Sequence, residues 1–91
     1  MIKIHNKAFG NVLRRLRKKK NFSQEYLGFE ADLTRAYISL LERGLRSPTL
    51  DTLLALCAPL GVSLAALASS IEAELATPVS SNNMGSANGS E

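Results

Sequence analysis

Apolar residues in this chain return every three or four positions, in short runs that stop and restart. Phe9, Leu13 and Leu16 fall at i, i+4 and i+7, and Leu64, Leu67, Ile71 and Leu75 at i, i+3, i+7 and i+11. That period buries one stripe of a helix. Period-two alternation is scarce and β-branched residues never cluster, so no strand is expected. The chain should be all-α and built from short pieces.

Cap and stop residues divide it into five blocks. The first runs from about Asn6, read as its cap, to Lys20, with Asn21 as a left-handed stop. The second starts at the N-cap Ser23 and ends at Asp32; Leu27 and Ala31 face inward, and Tyr26 and Phe29 are read as packing residues on its flanks. The third runs from the N-cap Thr34 to Gly44, with Ile38, Leu41 and Leu45 inward. Pro48 breaks the chain. The fourth covers Leu50 to Leu60 with Leu50, Leu53, Leu54 and Cys57 apolar, Pro59 distorting or ending it and Gly61 closing it. The fifth is capped by Ser63. A helical domain over residues 1–76 is expected, followed at 77–91 by a small, polar, disordered tail.

A core this small is marginal and usually needs a staple. One Cys and one His build neither a disulfide framework nor a metal cage within one chain, which leaves oligomerisation. A lone Cys, no signal-peptide run and no stretch of about 18 apolar residues suggest a cytoplasmic protein without a membrane partner. At its apolar helical position Cys57 reads as a small core residue. No enzyme is expected: there is no Gly-rich phosphate loop, and Glu72 and Glu74 point to different sides of their helix. No cofactor, metal site or small-molecule effector is suggested.

The net charge of +3 hides an asymmetry. All eleven Lys and Arg lie between Lys3 and Arg46, against four acids there (Glu25, Glu30, Asp32, Glu42); the rest of the chain has four acids and no base. A basic half suits a polyanion, although a run such as Arg14–Lys20 also serves as a plain solvated face.

Blocks two and three are separated by about three residues, the spacing of a helix-turn-helix. On the wheel of block three, "LTRAYISLLERG", Ile38 and Leu41 point inward. Ala36, Ser39, Leu40 and Arg43 point away, with Arg35 and Tyr37 on the flanks. Short side chains permit close approach to a major groove, Arg reads guanine with two hydrogen bonds, and an aliphatic group meets a thymine methyl. An ordinary exposed Leu remains the plainer reading of Leu40.

The motifs "LRRLRKKK", "SQEYL", "YISLLERG", "SPTLDTLLALC" and "LGVSLAAL", in this order over residues 9–67, resemble the Cro/CI-type (XRE) helix-turn-helix family. The resemblance implies a five-helix, lambda-repressor-like domain that binds double-stranded DNA as a homodimer. In its small size the chain resembles phage repressors and the controller proteins of restriction–modification systems. It assigns Arg35, Ala36, Ser39 and Leu40 to bases, with Ser39 able to touch base or backbone. Gln24, Tyr37, Arg43 and Arg46 fall to phosphates, and Arg17 and Glu42 to an ion pair tying the first helix to the third. Asp32 stands where the family usually has Gly, and Gly28 where it usually has Ala. The stripe of Leu67, Ile71 and Leu75 is read as the dimer interface, although it could instead close the monomer's own core. An antitoxin-type module that binds a partner protein as well as DNA is the alternative; the tail has no anchors for such a partner.

Overall fold

The computed structural model describes residues 3–76. The expectation for the tail lies outside them. Among the described residues there are five helices: α1 (Ile4–Lys19), α2 (Gln24–Ala31), α3 (Arg35–Glu42), α4 (Leu50–Leu60) and α5 (Leu64–Ala76). None is long and apolar enough to cross a membrane.

Four of the five begin the same way. A hydroxyl accepts the backbone N–H three residues on: Ser23 from Tyr26 and Thr34 from Tyr37 at 3.0 Å, Thr49 from Thr52 at 3.1 Å and Ser63 from Ala66 at 3.0 Å. Each satisfies an amide that the helix itself leaves unpaired. α1 differs from expectation. It starts at Ile4 after Lys3, with no side-chain cap, and Asn6 lies inside its first turn, buried. The stops are left-handed residues, Asn21 (φ 61°), Asp32 (φ 59°), Gly44 (φ 76°) and Gly61 (φ 69°). Pro59 lies one residue before the end of α4 and withholds the amide that the Ala55 carbonyl would otherwise accept from, and the helix stops directly after it.

The core gathers Phe9, Val12 and Leu13 of α1, Leu27 and Ala31 of α2, Ile38 and Leu41 of α3, Leu56, Cys57 and Leu60 of α4, and Leu67 of α5. Burial raises the pKa of the Cys57 thiol, which suits an inert core residue. Leu45, expected inward, and Phe29, expected to pack on a flank, both face solvent. Leu45 is 40% exposed, because it follows Gly44 and has left the helix whose period placed it inside. Phe29 is 78% exposed and packs on nothing substantial, because α2 turns only Leu27, Gly28 and Ala31 to the core. Tyr26 is half-exposed but meets the Phe22 ring edge-on at 4.8 Å.

α5 folds back against α1. Glu74 accepts from Asn11 Nδ2 at 3.2 Å and pairs with Arg15 at 3.3 Å. α1 therefore supplies part of the cover that α4 does not extend to the end of α5.

Candidate nucleic-acid interface

α2 and α3 form a tight corner. Asp32, Leu33 and Thr34 connect them, the three-residue spacing expected. The Leu33 amide donates to the Gly28 carbonyl at 2.8 Å. A Cβ built on Gly28 would lie 2.6 Å from the Leu33 carbonyl oxygen, so an alanine here would force this corner to open slightly. The left-handed conformation falls instead on Asp32, a residue type that tolerates it better than most.

α3 turns Ile38, Leu41 and Glu42 inward. Its other side carries Arg35, Ala36 and Arg43, all exposed, and Ser39, Leu40 and Tyr37, half-buried. Leu40 is thus partly covered by its own chain, yet keeps surface on the outward side. Arg43 Nε reaches the Ser39 carbonyl at 3.4 Å, and Arg46 bonds the Leu45 carbonyl at 3.0 Å. Both arginines lie exposed at the end of α3 and in the loop after it.

The far end of α3 is fixed by a polar clasp. Arg17 meets Glu42 with two parallel bonds, Nε to Oε2 at 2.6 Å and Nη2 to Oε1 at 3.0 Å. Arg17 Nη1 also donates to the Phe22 carbonyl at 2.8 Å. Gln24 Nε2 adds a third donor to Glu42, at 3.0 Å. Glu42 is an acid at a helix C-terminus, where the dipole disfavours it, so these donors offset a cost as well as orient the helix. The hydrogen bond to Glu42 raises the Arg17 pKa, with burial opposing it. The clasp closes because α1 presses on α3: a Cβ on Gly10 would sit 2.6 Å from the carbonyl oxygens of both Leu41 and Glu42.

Sequence reasoning missed Gly10. Its signal was a lone glycine inside an otherwise helical pattern, which often marks close approach. The assigned dimer residues are divided by the structure. Leu67 is 1% exposed, a core residue with no surface for a partner; its position under α1 and α4, which the stripe did not reveal, is the reason. Ile71 is half-buried, and Leu75 is 42% exposed.

A helix-turn-helix family model (HTH_3) matches residues 13–67. Control protein C.MunI of Mycoplasma sp is 45% identical over 67 residues, 72% of this chain and 90% of that protein. The restriction-modification controller protein C.AhdI from Aeromonas hydrophila has a TM-score of 0.66 at 39% identity, covering 68% of this chain and 94% of that one. The controller protein C.Esp1396I, solved as a tetramer in complex with its natural 35 base-pair operator, has a TM-score of 0.76 at 27% identity, covering 82% of this chain and 99% of that one. Motif order, corner, clasp and these likenesses agree: the chain belongs to the XRE-type helix-turn-helix family of DNA-binding transcriptional regulators.

Proposed function

We propose that this chain is a non-enzymatic, cytoplasmic regulator of the restriction–modification controller type, which binds a pseudo-palindromic operator as a homodimer. The observation that carries the reading is the outward face of α3, exposed at Arg35, Ala36 and Arg43 while its inward end is clasped by Arg17 and Gln24. A helix so fixed can hold these side chains at constant positions against a row of base pairs. The relatives named as controllers, and the operator complex of one of them, supply the biological class.

In this reading Arg35, Ala36, Ser39 and Leu40 meet base edges, and Tyr37, Arg43 and Arg46 meet phosphates. One N–H of the Gln24 amide is spent on Glu42, which leaves the other N–H and the unpaired amides at the start of α2 as donors for a phosphate. Two α3 helices would enter major grooves about 34–36 Å apart. The self-contact is the apolar side shared by α4 and α5: Leu50 and Leu54, 60% and 50% exposed, with Ile71 and Leu75. Leu67 is not part of it.

Footprinting on the DNA upstream of the protein's own gene tests the reading. Two protected half-sites one helical turn apart are expected, and no protection above nonspecific binding would defeat it. Arg35→Ala should cost about 1–3 kcal/mol and flatten discrimination at one base pair per half-site. An unchanged ranking of operator variants would remove Arg35 from the readers.

A further inference from the structure

An open groove of about 350 Å³ lies where the start of α1, the loop after α3, and helices α4 and α5 meet. Phe9, Pro48, Leu53 and Ile71 form its apolar walls, and Asn6 and Ser47 its polar end, with His5 at the edge. We propose that this groove is a socket in which a second copy of this chain seats an apolar side chain together with a hydrogen-bond acceptor. The inference rests on the homodimer reading above and adds to it the residues that complete the contact.

Asn6 points to the acceptor. It is 7% exposed, and one end of its amide is bonded to the Ser47 hydroxyl at 2.9 Å. The other end has no hydrogen-bond partner among the described residues. As oriented, the unpartnered end is the Nδ2 donor. A buried donor without a partner is uncommon and costly, and an acceptor entering the groove relieves it.

The surroundings point to a second copy. Leu53, in the groove, adjoins the exposed Leu50 one turn before it on α4, and Leu75 lies one turn beyond Ile71 on α5. The groove is thus a recess in the same exposed apolar side, not a separate feature. Among the described residues no Asp, Glu, Lys or Arg lines it, so these walls offer nothing to a polyanion. A two-fold contact makes each protomer both socket and insert. Ser47 directly follows Arg46, so filling the socket also steadies the loop that carries Arg46 toward phosphate. Dimerisation and the setting of that arginine become one event.

Sedimentation of the full chain over a concentration series is the test, with Leu75→Asp outside the groove and Ser47→Leu filling it. Both should raise the dimer dissociation constant at least about tenfold, a change of about 1.4 kcal/mol. Ser47 is exposed, so the Ser47→Leu monomer should remain helical. If Leu75→Asp dissociates the dimer and Ser47→Leu does not, the socket is wrong and the dimer face stands. If neither variant weakens the dimer, both the socket and the dimer face fall. A nuclear magnetic resonance measurement on the unmodified chain removes any dependence on how the variants fold. On dilution from dimer to monomer, the Asn6 side-chain amide should shift and lose exchange protection; an amide signal unmoved by that dilution overturns the socket.

Discussion

At the scale of single residues, the charge of Glu42 is the most consequential. It is buried at a helix C-terminus and depends on Arg17 for two of its hydrogen bonds and on Gln24 for a third. Arg17→Met keeps the length of the side chain and removes the partner. Leaving one member of a buried pair unpaired costs about 3–5 kcal/mol. The urea midpoint should fall accordingly with an unchanged slope, and adding Glu42→Leu should recover much of the loss. Phe29 sits at the other extreme. At 78% exposure it has little burial to lose, so Phe29→Ser should change stability by no more than about 0.5 kcal/mol. A larger drop in the thermal midpoint would mean that the ring is covered in solution. The helical period placed Phe29 on a flank correctly, but could not tell whether anything stood opposite that flank.

At the scale of the elements, the helices were legible because their ends are local. Ser23, Thr34 and Ser63 cap amides three residues away, and Asn21, Asp32, Gly44 and Gly61 stop helices through their own backbone conformation. Asn6 was misread as a cap for a related reason. Its side chain suits that role, but it is bonded to Ser47, 41 residues away. How closely two helices pack was less legible. Gly10 brings α1 onto the carbonyls that end α3, with no room for a methyl group. Gly10→Ala should gain helix propensity, about 1 kcal/mol, and lose more than that by prising α1 from α3. A lower melting temperature and weaker operator binding are expected together, since the same contact seats the clasp. A variant at least as stable as the parent would show that α1 yields without cost.

For the whole molecule, the basic stretch of the sequence coincides with the helices that carry the candidate interface. All eleven cations lie in the part that contains α1 to α3 and the loop after α3. Operator binding should therefore weaken steeply with salt, through release of counterions from neutralised phosphates. Arg43→Ala should weaken all DNA sequences alike and reduce the slope of log affinity against log salt. The reduction should be about one unit per protomer, or about two in a dimer. An unchanged slope, measured by fluorescence anisotropy across salt concentrations, would free Arg43 from the phosphates.

The sequence by itself determined the five helices, the caps Ser23, Thr34 and Ser63, and which residues of α3 face away from the core, because periodicity and capping act over three or four residues. It also identified the Arg17–Glu42 pair, through the likeness of their motifs to a known family, whereas the bond of Gln24 to Glu42 emerged only in the fold. Only the tertiary structure decided that Leu67 belongs to the core while Leu75 stays exposed, although both fall on one stripe of one helix. It also put Leu45 and Phe29 in water and Asn6 in a groove formed with residues of three later segments. A helical period states which side chains share a face. Whether that face is covered depends on helices packed from elsewhere in the chain.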